Sequence, residues 1–177
     1  MLNGGSSSGT SSIARALQER LPDIWLTFGV DTFVDALPGR GDSPRAGIGF
    51  EPDGTVTLTP RFQELERSWY LGVNAMAASG ARLILDEVFL SGGAGQDRVR
   101  STLSDAMLFW VGVHCSPDVA AAREALRLDR VAGMAQQQAR SVHEGVVYDL
   151  EVDTTSRTAD ECAQEIAAEL GRRMTAE

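Results

Sequence analysis

The most constraining stretch lies near the start of the chain. Gly4-Gly5-Ser6-Ser7-Ser8-Gly9-Thr10-Ser11 has the spacing G-x-x-x-x-G-x-[ST] and runs straight into a helical apolar pattern of Ile13, Ala14, Leu17 and Leu21. Small residues let successive backbone N–H groups converge on an anion, the amino end of the helix adds the positive end of its dipole, and a hydroxyl at Ser11 suits magnesium. The stretch therefore predicts a phosphate loop, with Gly4, Gly5, Ser6, Ser7, Ser8, Gly9, Thr10 and Ser11 as the cradle. Two departures from that pattern stand out. The position that should be Lys is Thr10, and all 16 cationic side chains of the chain are Arg, so no Lys elsewhere takes its place. Without the Lys, a plain Ser/Gly turn capped by Thr10 or Ser11 stays open as an alternative. The second departure is the strand that should precede such a loop. Only Met1-Leu2 come before Asn3, which predicts a truncated first strand, either vestigial or begun late in this sequence.

The 177 residues predict one domain spanning 1–177, with an inserted flap over 38–60 and a lid over 117–145. At 43% hydrophobic and 23% charged residues, the chain carries an ordinary globular mix. Its net charge of −9 repels nucleic-acid backbones and anionic membranes, so neither is expected as a partner, and any phosphate bound must be bound locally. Cys115 and Cys162 lie far apart, which suits a reducing compartment. The start lacks the basic and apolar regions of a signal peptide, and no apolar run approaches the roughly 20 residues of a membrane span, so a cytoplasmic location is expected.

Apolar runs at Ile24–Val30, Arg82–Leu90, Met107–His114 and Val146–Val152 alternate with helix-period segments at Ser11–Leu21, Arg61–Ser79, Ala94–Leu103, Pro117–Leu128, Arg130–His143 and Thr158–Arg172. That alternation predicts an α/β fold, a parallel sheet with helices on both faces. Ile48–Thr59, with Glu51-Pro52-Asp53-Gly54 at its middle, reads as a small separate hairpin.

Other residues carry possible chemistry. Leu83-Ile84-Leu85-Asp86-Glu87 is an apolar run ending in two carboxylates, the form of a strand whose Asp86 orders magnesium, or else a strand ending in two solvated acids. Asp31 closes the run Trp25–Val30 at the sheet edge where such folds bind ligands. It suits a base that takes the proton of an attacking hydroxyl, or an N-cap for a helix over Thr32–Leu37. Asp35 reads as solvated or as a supporting group. Arg123, Arg127 and Arg130, spaced four and three apart, share a helix face if that helix continues through Asp129; they fit a phosphate-clamping lid or a solvated stripe paired with Glu124 and Asp129. His114 and His143 read as structural. Trp25, Trp69 and Trp110 read as core, with Trp69 a candidate for an acceptor pocket. The tract Val152–Ser156 reads as helix caps or an adenine-side loop.

Taken together, the blocks Leu2–Gly9, Phe28–Asp31, Ala81–Leu90, Asp129–Ala135, His143–Gly145 and Val152–Thr155 follow one another in a known order, and the chain resembles the chloramphenicol phosphotransferase family. The resemblance covers nearly the whole chain. It implies a P-loop kinase fold similar to adenylate kinase with a five-stranded parallel sheet. It further implies transfer of the ATP γ-phosphate, with Mg2+, to a hydroxyl of a small molecule such as chloramphenicol, an activity that protects an antibiotic producer. On that resemblance Asp31 is the base, Gly4 to Ser11 hold the phosphates, Ser11 and Asp86 serve the metal, and Arg127 and Arg130 belong to the lid. A degenerate homologue that binds nucleotide or a small molecule without turnover is the alternative, because of Thr10.

Overall fold

The computed structural model describes residues 1–41, 43–51, 53–126 and 133–176. In chain order the elements are β1 (Leu2–Asn3), α1 (Thr10–Arg20), β2 (Trp25–Gly29), α2 (Val30–Asp35), β3 (Ile48–Phe50), β4 (Val56–Leu58), α3 (Pro60–Ala78), β5 (Arg82–Glu87), α4 (Gly93–Thr102), β6 (Val111–His114), α5 (Pro117–Glu124), α6 (Met134–Ser141), β7 (Leu150–Asp153) and α7 (Ala159–Ala176). Five of the strands form one sheet in the order β2-β5-β1-β6-β7, and every neighbouring pair is parallel. The expected parallel sheet is present, and β3 and β4 pair antiparallel as the separate hairpin.

One face of the sheet is closed by α1 and α7. Leu2, Val111, Val113 and Val152 pack there against Ile13 and Leu17 of α1 and Cys162 and Ile166 of α7. The opposite face holds Leu85, Phe89 and Trp110 against Tyr70 and Val73 of α3 and Val99 of α4. A third cluster of Phe33, Leu37, Ala46 and Phe62 supports the hairpin. Of the tryptophans, Trp110 is buried, while Trp69 sits edge-on to Phe28 and beside Phe33, in the core rather than in a pocket.

The first strand is indeed short, yet it occupies the centre of the sheet and is held from both sides. Leu2 and Asn3 are in register with Asp86 and Glu87 of β5, and with Val111 and Gly112 of β6. The ladder runs beyond the strand: the Val111 N–H donates to the Met1 carbonyl at 2.9 Å, and the Gly4 N–H to the Glu87 carbonyl at 3.2 Å. Successive residues of a strand face opposite ways, so with Leu2 in the apolar core Asn3 is turned to the other side. There its buried carboxamide makes three hydrogen bonds. Oδ1 accepts from the Phe89 N–H at 2.9 Å, and Nδ2 donates to the Val142 carbonyl at 2.9 Å and to the Tyr148 hydroxyl at 2.6 Å. One side chain thus bolts the strand to the turn after β5 and to the segment after α6.

Two expected boundaries move. The run from Met107 does not become strand until Val111, since β6 pairs only where β1 and β7 lie alongside it, and Met107 itself is largely exposed. The helix from Pro117 stops at Glu124, with Ala125 and Leu126 already in a turn; of the expected stripe only Arg123 is on it, and Arg127 and Arg130 lie outside the described residues. Glu124 is not a solvated partner of that stripe. Its buried carboxylate accepts from the N–H groups of Gly133 and Ala135, both at 2.8 Å, and so satisfies the amino end of α6.

Replacing Asn3 by Ala strands the Phe89 N–H and the Val142 carbonyl in a buried site and leaves the Tyr148 hydroxyl only its bond to His143. The expected loss is about 2–4 kcal/mol of folding stability, read by urea unfolding monitored by tryptophan fluorescence. A loss under about 0.5 kcal/mol would show that the network does not hold β1 in place.

Candidate active site

The phosphate loop is built by the meeting of β1 and α1 at the carboxyl edge of the sheet. The side-chain cap expected as the bland alternative does not form: the N-cap position of α1 is Gly9, and no side chain bonds the N–H groups of its first turn. Those donors, at the positive end of the helix, are therefore left for a ligand. Thr10 is buried and turned beneath the loop toward Gly4. The Ser6, Ser7 and Ser8 hydroxyls are buried and have no hydrogen-bond partner among the described residues. Buried orphan hydroxyls are costly unless something completes them. Ser6 and Ser7 line the cleft beside the loop, whereas Ser8 lies under it against Gly4.

The loop is tied to three neighbours. The Ser6 N–H donates to Oε1 of Gln138 on α6 at 2.9 Å. The Ser8 carbonyl accepts from the Thr154 hydroxyl at 2.6 Å, so the tract after β7 serves to anchor the loop. Arg123, from α5, donates to the Thr154 carbonyl at 2.7 Å, to its hydroxyl at 3.1 Å and to the Cys115 thiol at 3.4 Å. Its guanidinium is bonded to neutral acceptors and lines the cleft, which leaves its positive charge available to an anion.

Asp86 and Glu87, adjacent on β5, face opposite ways and do different things. Asp86 reaches the cleft, where its Oδ2 accepts from the Ser11 hydroxyl at 2.6 Å. A hydroxyl and a carboxylate side by side at the amino end of a helix are hard oxygen donors of the kind magnesium takes together with phosphate oxygens, so the residues present fit that ion. Among the described residues no group of three or more His, Cys, Asp or Glu assembles a metal cage. Glu87 is only 2% exposed on the other face, with Oε1 lacking a hydrogen-bond partner among the described residues. The expectation of two acids at one edge is thus corrected: one serves the cleft and the other is a core group.

Asp31 enters the same cleft from the first turn of α2. It is not the N-cap, which is Gly29; as a first-turn residue its carboxylate is favoured by the helix dipole. Close approach fixes Gly29, because a Cβ there would stand 2.1 Å from the Asp86 carbonyl oxygen, and β2 would be pushed off β5. Asp35 also lines the cleft and is bridged by Arg40, at 3.1 and 3.2 Å. His114 and His143 stack at 4.0 Å outside the cleft lining, His114 bonded to Glu151 and His143 to Tyr148, a structural role as expected.

The resulting cleft has a volume of about 930 Å3, and its lining falls into two chemically distinct groups. One is polar, made of the loop, Ser11, Ser12, Asp86, Arg123 and Thr154; the other is apolar, made of Val34, Ile48, Phe50, Val56 and Leu90, and Asp31 and Asp35 also line the cleft. Sequence reasoning missed Gln138, whose position in the Gln136–Gln138 run gives no sign that it touches the loop, and the anchoring role of Thr154, which needed the sheet order to be seen.

Burial pushes the Glu87 carboxyl up to about 8; the nearby Tyr70 hydroxyl opposes the shift and the Asp86 charge adds to it. The ordinary carboxylate ionises near 4.5, so below that value both folded and unfolded forms are protonated and Glu87 costs nothing. As pH rises from about 4.5 to about 8 the unfolded chain ionises while the fold keeps the proton, and stability is lost across that window. Glu87→Gln removes this loss. Its stability relative to wild type should rise between pH 5 and pH 8 by on the order of a few kcal/mol, measured by denaturant unfolding at each pH. A difference independent of pH would mean that Glu87 is not held neutral.

A family model described as chloramphenicol phosphotransferase-like protein matches residues 1–171. A relative in Mycobacterium tuberculosis, found in two strains and provisionally named an O-phosphotransferase, is 33% identical over 178 aligned positions, covering 94% of this chain and 79% of its own. Among solved structures, a sugar kinase from Janibacter sp. HTCC2649 superposes with a TM-score of 0.68 at 16% identity over 96% of this chain and 92% of its own. The APS kinase of Mycobacterium tuberculosis, in complex with AMPPNP and APS, gives 0.67 at 17% identity over 96% and 95%. At these identities the superpositions speak for the fold.

Proposed function

The chain belongs to the chloramphenicol phosphotransferase-like family and is a phosphotransferase of the P-loop kinase type with a hydroxyl acceptor, and on that premise we propose that it moves the γ-phosphate of ATP, with Mg2+, to a hydroxyl of a chloramphenicol-like small molecule. The observation that carries this reading is the mixed lining of the cleft, which holds uncapped loop donors, a group of apolar side chains and Asp31. A nucleotide's phosphates match the loop donors, and a largely apolar acceptor with one reactive hydroxyl matches the apolar group.

In this reading the uncapped N–H groups of the loop and of the first turn of α1 hold the phosphates. Ser11 and Asp86 would hold magnesium, which when bound neutralises charge on the phosphate oxygens. Asp31 orients the acceptor hydroxyl and takes its proton as the oxygen attacks phosphorus in line with the leaving ADP. Arg127 and Arg130 are proposed for the lid on the resemblance alone, since they lie outside the described residues. Phosphoryl transfer depends mainly on placement and charge stabilisation, and a missing preorganised donor at position 10 costs up to about 3–4 kcal/mol, or about 10² to 10³ in rate. Thr10 is the one observation that favours a second reading, a homologue that binds nucleotide or a small molecule without turnover.

The test is a coupled phosphotransfer assay over a panel of hydroxylated antibiotics and metabolites, chloramphenicol among them. Asp31→Asn keeps the shape of the side chain and removes its basicity. With a responding acceptor, transfer should fall about 100-fold or more while ATP affinity stays within a few-fold of wild type. Undiminished transfer by Asp31→Asn would remove Asp31 as the base, and binding of Mg-ATP without transfer to any acceptor would favour the second reading.

A further inference from the structure

Gln138 is buried to within 4% of its surface and yet lines the cleft. Its amide orientation follows from chemistry. The Ser6 backbone N–H is always a donor, so the atom that meets it at 2.9 Å is the carbonyl Oε1, and the other end of the carboxamide is the NH2. That Nε2 has no hydrogen-bond partner among the described residues, and it is absent from the fully buried unpaired atoms, so it opens toward the cleft. A pair of N–H donors is therefore held beside the phosphate loop by a bond to the loop itself.

The backbone around Gln138 is fixed as firmly as its tip. A Cβ on Gly5 would come within 3.0 Å of the Gln138 carbonyl carbon and 3.1 Å of its Cβ, so loop and helix touch with no room between them. Helix α6 also reaches the hairpin, where Gln137 Nε2 donates to the Thr55 hydroxyl at 3.3 Å and Met134 lines the cleft. Gln138 consequently lines the cleft directly beside the phosphate loop, on the helix that also touches the hairpin.

Resting on the function proposed above, we infer that Gln138 is a ligand of the transferring phosphoryl group, with Oε1 setting the Ser6 N–H and Nε2 donating to a terminal phosphate oxygen. The arrangement supplies placed, uncharged donors to a loop whose residue 10 is Thr instead of Lys. Such donors act without reorganising, because the carboxamide is already oriented before the nucleotide arrives.

Calorimetry with Mg-AMPPNP and Mg-ADP on the full chain tests this, comparing wild type with Gln138→Glu and Gln138→Met. Wild type should bind the triphosphate analogue more tightly than ADP. Glu keeps an oxygen acceptor for Ser6 but has no donor and adds a negative charge, so Gln138→Glu should weaken both nucleotides, the triphosphate analogue about tenfold or more beyond ADP. Gln138→Met removes both groups; it should lose the triphosphate preference as well, and it decides the matter if the Glu variant does not fold. Variants that keep the wild-type preference for triphosphate would overturn the inference while leaving the proposed function standing, as would equal losses of ADP and triphosphate affinity, the mark of a merely structural role. Wild-type protein that binds neither nucleotide would overturn the proposed function and this inference with it.

Discussion

The site depends on a two-residue strand being held at the centre of a parallel sheet. β1 is too short to fix its own register through ladder bonds alone, and the loop it launches has to arrive between the ends of β5 and β6. The Asn3 carboxamide resolves this by bonding to three separate segments from a buried position, and the Met1 and Gly4 backbone bonds extend the pairing on either side. Because a buried polar network is strong only when every member is satisfied, the same bonds that place the loop also tie it to the segments following β5 and α6. The cleft and the core are in this sense one construction.

From that anchoring follows the character of the loop. Its Gly9 N-cap leaves the helix donors uncapped, its Thr10 is turned under toward Gly4, and its serine hydroxyls are buried and unpartnered among the described residues. In a protein of net charge −9, a triphosphate needs local compensation. The helix dipole, the Arg123 guanidinium held by neutral acceptors, and the Ser11–Asp86 pair suited to a cation supply it. In the proposed function these several smaller contributions stand in for the lysine of the usual pattern, and none of them sits at position 10.

Much of this was legible in the sequence, because periodicity reports burial and the spacing G-x-x-x-x-G-x-[ST] reports a turn feeding a helix. The sheet, the hairpin and the gathering of Asp31, Asp86 and the loop at one edge all follow from strands of alternating order. What periodicity does not carry is direction and partnership. Glu87 looks like a twin of Asp86 until the strand is seen to send it into the core. Glu124 looks like a surface partner of arginines until its carboxylate is found on the amino end of α6. Asn3 and Gln138 are ordinary polar letters whose weight comes from contacts 139 and 132 residues away in the chain, and no local signal marks them.

In the proposed function one cleft brings together a nucleotide's phosphates, their metal and an acceptor hydroxyl despite the absence of Lys. The most direct measurement of this is a crystal structure of the chain with Mg2+ and a non-hydrolysable ATP analogue. The terminal phosphates should lie inside Gly4–Ser11, with the metal against Ser11 and Asp86 and the γ-phosphate open toward Asp31. A nucleotide bound elsewhere, or none bound at millimolar concentration, would contradict that function.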